Sequence, residues 1–193
     1  DRLVFLSFKV PKGRDLCIGA KRNIGQYVAT GDYVVSFDDD DVYAPVYITS
    51  MLSHMEEHHA DLVTLSAWYV FDSDFGQLAY CDPQQFAALE GKSSSDPQID
   101  SWIWGYGFSY VYRLDPVLEG GIHFPEVNMS EDLAFVKALK RHCGMESAVL
   151  LKDCNGLCLH VLHGRNQSAS FCVSEVHRER AMTLAFGDQF YEI

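Results

Sequence analysis

Three short apolar runs alternate with two helix-length segments in the first 71 residues, and this order most limits what the chain can fold into. The runs are LVFLSF (3–8), DYVVSF (32–37) and DLVTLSAWYVF (61–71), each with strand character. The first segment between them, 18–30, stops near Gly31, as helices commonly do. The second opens at Pro45 and runs to about His59, with Ile48, Met51, Leu52 and Met55 at helical spacing. Strand–helix–strand–helix–strand predicts a βαβ-type layered α/β sheet. At 193 residues and 48% apolar, the chain is expected to form a single domain over 1–193 with a sizeable core. No internal repeat or linker divides it.

Beyond residue 71 the signals are more local. Residues 72–100 contain Asp72, Ser73, Asp74, Gly76 and the string GKSSSDP (91–97), and read as a loop-rich, substrate-facing segment. Residues 101–113 are aromatic and strand-like around Gly105 and Gly107. A helix is expected over 131–143 with Ser130 as its N-cap. Segments 147–152 and 157–162 flank Asn155-Gly156 and predict a hairpin. A closing helix is expected over 173–186.

Charge narrows the function. The chain carries 27 Asp and Glu against 15 Lys and Arg, a formal charge of -12. Nucleic-acid affinity rests on clustered Lys and Arg, so no nucleic-acid partner is expected. A small anionic ligand held through a metal stays open. No stretch reaches the length of a transmembrane span, and the opening residues lack a signal-peptide layout. That leans towards the cytoplasm without fixing the compartment, and the sequons at Asn128 and Asn166 are too common to fix it either. Six cysteines (17, 81, 143, 154, 158 and 172) are too few for a disulfide scaffold and read as reduced thiols.

The richest segment is VVSFDDDDVYAP, 34–45. Asp38 to Asp41 follow a strand's carboxyl end, where ligands collect in open α/β sheets. Four adjacent carboxylates repel unless water or a cation screens them, and Mg²⁺ or Mn²⁺ favours such oxygen ligands. In isolation the run reads first as a solvated acidic loop. An apolar strand before it and a Pro-started helix after it make it an ordered turn.

The string IGAKRNIGQYVATGDYVVSFDDDDVYAP (18–45) resembles the family 2 glycosyltransferases of GT-A fold. It holds an Arg-Asn segment, a helix, Ala-x-Gly-Asp, a buried strand and then Asp-x-Asp-Asp, in the family's order. WGYGFSYVYR (104–113) with FPEVNMSEDLAFVKALK (124–140), and then LHVLHGRNQS (159–168), resemble the family's later regions. The resemblance implies a Rossmann-like mixed sheet flanked by helices, N-terminally reduced because no strand–helix–strand unit precedes Leu3. A partner domain or subunit would then complete the nucleotide site. It also implies a nucleotide-sugar donor, a glycan or other hydroxyl acceptor, and Mn²⁺ or Mg²⁺. Residues 1–71 would form the donor and metal half and 101–170 the acceptor and catalytic half.

By the same resemblance Asp38, Asp40 and His163 would hold the metal, with His160 second to His163. Arg22, Asn23, Asp38 and Asp39 would contact the donor. Asp41, Trp104 and Tyr106 would face the acceptor, with Trp102 and Phe108 as further sugar-facing rings. Asp132 would be the general base and Glu131 its neighbour in orienting the acceptor. A base opposite a metal-bound leaving group implies inversion by single displacement.

Residue patterns also support other readings. Acids in a first helical turn suit the helix dipole, which accounts for Glu131-Asp132 without catalysis. His54-Met55-Glu56-Glu57-His58 matches the His-x-x-Glu-His pattern of some zinc proteases. Cys154, Cys158, His160 and His163 are a possible structural zinc set. A metal-dependent phosphohydrolase would use the aspartates but lacks a phosphate-cradling Gly-rich loop. A noncatalytic metal- and carbohydrate-binding relative would keep the aspartates and have no need of Asp132 as base.

Overall fold

The computed structural model describes residues 4–93, 96–164, 166 and 171–190. Its centre is β3 (Leu62–Asp72), whose first nine residues are all buried. A strand buried on both faces reads as a continuous apolar run, which is why 61–71 shows no alternation. The length of β3 lets it take two partners on each side. On one side lie β5 (Val111–Arg113) and β4 (Gln77–Cys81), both antiparallel. On the other lie β6 (Ala148–Lys152) and β7 (Cys158–Leu162), both parallel and placed end to end. Where β5 gives way to β4, the Ser109 hydroxyl accepts the Leu65 N–H at 3.1 Å and bonds Thr64 at 2.7 Å, satisfying the buried backbone.

Outer strands complete a mixed, largely antiparallel sheet. β1 (Tyr33–Val35) pairs with β5, β2 (Val42–Tyr43) with β7, and β8 (Cys172–Glu175) with β4, all antiparallel. The helices are α1 (Ile18–Val28), α2 (Tyr47–Glu57), α3 (Pro83–Leu89), α4 (Pro97–Trp104), α5 (Leu114–Glu119), α6 (Glu131–Cys143), α7 (Arg178–Ala181) and α8 (Gly187–Phe190). α2 buries Tyr47, Met51 and Met55 at i, i+4, i+8 with Leu52 beside them, and leaves Ile48 exposed. α6 buries Phe135, Val136 and Leu139 against Tyr110, Tyr112 and Phe124. Among the described residues no helix is long and apolar enough to cross a membrane.

Several local expectations are corrected. Residues 4–8 form no strand, since no described strand pairs with them, and Phe5 and Phe8 are exposed; Leu3 lies outside the described residues. The segment 72–100 is built rather than loop-rich: it holds β4, α3 and the start of α4. Asp82 and Asp96 cap those helices by accepting the N–H groups of Gln85 and Gln98 at 2.9 Å each, and Pro follows each acid at the first helical position. Ser94 and Ser95 lie outside the described residues. The aromatic stretch 101–113 is helix, then a 3₁₀ turn at Gly107–Ser109, then β5. Ser130 occupies the N-cap position with φ 65° and makes no cap bond.

No hairpin forms at Asn155-Gly156. Asp153 accepts N–H bonds from Asn155 (3.0 Å), Gly156 (2.7 Å) and Cys158 (3.1 Å), which steps the chain from β6 into β7 along the same edge of β3. The closing helix is likewise replaced by β8 and the short helices α7 and α8.

Candidate functional site

The aspartate turn is set by β2. That two-residue strand pairs with β7 immediately after Asp41, so the turn docks beside His160 and His163. Tyr43 fastens it from below: its hydroxyl accepts the Asp38 N–H at 3.1 Å and donates to the Phe108 carbonyl at 2.9 Å. One carboxylate oxygen each of Asp38, Asp40 and Asp41 lies within 4.8 Å of the others.

The four acids then divide. Asp41 has a fully buried side chain that meets His160 Nδ1 at 2.8 Å and accepts the Val161 N–H at 3.0 Å. Asp40 points outward and meets His163 Nε2 at 2.9 Å. Asp38 opens onto the cavity with protein crowding it, and that desolvation raises its pKa; Arg22 opposes the rise, while Asp41 and Asp40 add to it. Asp39 is exposed and does not line the cavity.

The cavity beside the turn measures about 550 Å³. Asp38, Asp40, His160 and His163 contribute to its wall, as do Arg22, Glu131 and Asp132. Trp102, Tyr106, Phe108 and Phe171 add aromatic surface. The His160 ring stacks on Phe108 at 5.1 Å, and its Nε2 is buried without a hydrogen-bond partner. Asn166 fixes the His163 turn by accepting the His163 N–H at 2.7 Å and donating to the Val161 carbonyl at 2.9 Å. Arg165, Gln167 and Ser168 of the same motif lie outside the described residues.

Asp132 is a buried carboxylate at the start of α6. It accepts the Gly107 N–H at 2.9 Å and faces Arg22 Nη1 at 2.7 Å. Burial pushes its pKa up to about 6; Arg22 pulls it down, Glu131 raises it and the Gly107 N–H lowers it. Arg22 therefore serves two acids, lowering the pKa of both Asp38 and Asp132. A Cβ on Gly107 would overlap both Arg22 Nη1 and Asp132 Oδ1, so only glycine admits this approach.

Three candidates lie elsewhere. Asn23 spends its amide on Phe124, donating to the carbonyl and accepting the N–H at 2.8 Å each, which ties α1 to the strap before α6. Trp104 does not line the cavity; it packs under Lys140, whose Nζ sits 3.5 Å from its ring centre. Asp41 does not line the cavity; its carboxylate is held by His160. Cys154, Cys158, His160 and His163 do not converge as a ligand set among the described residues. Cys158 is buried in the core, and all six cysteines are unpaired. Reasoning from sequence missed Tyr43, Phe171 and the partnership of Asp41 with His160; only the His-Gly-x-Asn string hinted at Asn166.

Comparison with known proteins shows what this turn is similar to. The sequence profile described as glycosyl transferase family 2 matches residues 9–86, which span α1, the aspartate turn, α2 and β3. Residues 9–86 are similar to glycosyl transferase family 2. The fold is that of the GT-A glycosyltransferases. The structure of S. aureus TarS 1-349 aligns with a TM-score of 0.50 at 18% identity, covering 75% of this chain and 40% of that one. The same protein in complex with UDP-GlcNAc aligns with a TM-score of 0.50 at 15% identity, covering 88% and 45%. The chain thus spans less than half the length of those structures. No curated protein sequence matches it.

Proposed function

We propose that the chain is a metal-dependent glycosyltransferase unit that moves a sugar from a nucleoside-diphosphate donor to an acceptor hydroxyl with inversion. One observation carries this reading. A buried carboxylate tuned to about 6, Asp132, shares a cavity with an aspartate turn able to hold a divalent cation. The family match of residues 9–86 and the UDP-GlcNAc bound by TarS favour a UDP-sugar as first donor to test.

The donor set suits Mn²⁺ or Mg²⁺. Asp38 and Asp40 offer carboxylate oxygens at the cavity wall, and the partnerless buried Nε2 of His160 lies on the same wall. Asp38, Asp40 and His163 would hold the ion, which supplies Lewis-acid stabilisation of the departing diphosphate. Asp41 orients His160.

Asp132 performs the proton chemistry. An acceptor hydroxyl is a weak nucleophile, and a carboxylate within hydrogen-bond reach takes its proton as attack proceeds. With a pKa near 6 the group is mostly ionised at neutral pH, and Arg22 keeps it so. Glu131, also buried, orients the acceptor beside it. Trp102 and Tyr106 offer apolar faces to a sugar ring. Residues 1–71 then form the donor and metal half, and 101–170 the acceptor half.

The test measures transfer or slow hydrolysis of UDP-sugars with Mn²⁺, beside calorimetric binding of UDP. Asp132→Asn should abolish turnover and keep metal-dependent UDP binding. Binding without turnover in the unaltered chain would overturn the enzymatic reading in favour of a noncatalytic relative.

A further inference from the structure

A second cluster lies at the far end of α2. His54, Glu57 and His58 each present one ligand atom within 4.8 Å of the others. α2 has 11 residues, so about 15 Å of helix separates this end from the one that follows the aspartate turn. The spacing i, i+4 stacks the two imidazoles on one flank, with ring centres 4.3 Å apart.

The hydrogen bonds fix the state of each ring. His54 Nε2 lies 3.0 Å from the Leu150 carbonyl oxygen, and His58 Nδ1 lies 2.9 Å from that of His54. A carbonyl oxygen only accepts, so both of these nitrogens carry the proton. In the neutral rings, Nδ1 of His54 and Nε2 of His58 therefore hold the lone pairs. Metal-binding histidines are commonly prepared this way, with the distal N–H spent on a carbonyl that fixes tautomer and ring orientation. Glu57 is exposed beside them and adds a carboxylate.

We propose that His54, Glu57 and His58 bind a divalent transition metal of the zinc class, separately from the aspartate turn. Imidazole suits zinc, nickel and copper, whereas the carboxylate-rich turn suits harder cations. The cluster lines neither the cavity beside the aspartate turn nor the second cavity between β4, β8 and α7. A metal here clamps the last turn of α2 to β6 through the His54–Leu150 bond. The competing account makes both histidines simple cations at a helix C-terminus, favoured by the dipole and indifferent to metal.

Titrating the chain with Zn²⁺ at neutral pH while following imidazole nitrogens by long-range ¹H–¹⁵N NMR separates the two. His54 Nδ1 and His58 Nε2 should shift together along one saturating curve. His58→Ala should remove the response of His54, and Glu57→Gln should weaken it with the circular dichroism unchanged. The proposal fails if neither ring responds, if the two respond independently, or if zinc shifts only His160 and His163.

Discussion

Replacing Arg22 with Gln should move the titration of Asp132 upward, and the size follows from the ion pair. The charged atoms approach to 2.7 Å and both side chains are largely buried. Unit charges with centres about 4 Å apart interact by ~1 kcal/mol in bulk water and ~4 kcal/mol at an effective dielectric constant of about 20. One pH unit corresponds to about 1.4 kcal/mol, so losing the guanidinium raises the pKa by roughly 1 to 3. Asp132 starts near 6. In the variant it should half-titrate between roughly 7 and 9, towards the lower end where water fills the vacated space. A base is useful only when ionised, so with Asp132 as the proposed base the acid limb of transfer moves up by the same amount. Asp38 also leans on Arg22, so the limb alone does not identify the group. Carboxyl ¹³C titration does, because the resonance absent from Asp132→Asn marks the site. An unmoved or lowered Asp132 titration in Arg22→Gln would refute the claim that Arg22 holds the base ionised.

Three further outcomes follow from the packing. Gly107→Ala should force Arg22 and Asp132 apart; a misplacement of about 1 Å costs on the order of 100-fold in turnover, and steady-state kinetics should show it in kcat more than in donor KM. Asp41→Ala should leave the buried His160 ring without its partner, costing about 1–3 kcal/mol in urea unfolding. Met51→Ala should cost about 2–5 kcal/mol in the same assay and Ile48→Ala less than about 0.5 kcal/mol, since the first is fully buried and the second is 43% exposed.

The contrast between those two α2 positions shows where sequence reasoning stops. The helix itself was legible, because Pro45 and the apolar spacing are signals carried within a few residues. Its rotation depends on what it packs against, and Tyr47, an aromatic outside the expected stripe, takes the buried place that Ile48 was given. The same division runs through the site. The turn at Asp38–Asp41 was visible from its flanking strand and helix. Its four identical side chains gave no local sign of their roles, which are set 119 to 123 residues away: His160 buries Asp41, and His163 meets Asp40. Asn155-Gly156 misled for a related reason. A hairpin signal competes with a long central strand that has an open edge, and Asp153 turns the chain so that β6 and β7 both join β3 instead of each other. Arg22 and Asp132 belong to separate sequence motifs, yet they form one ion pair on the cavity wall. The electrostatic tuning of Asp132 is therefore a property of the fold, and the Arg22→Gln titration probes that part which no single motif contains.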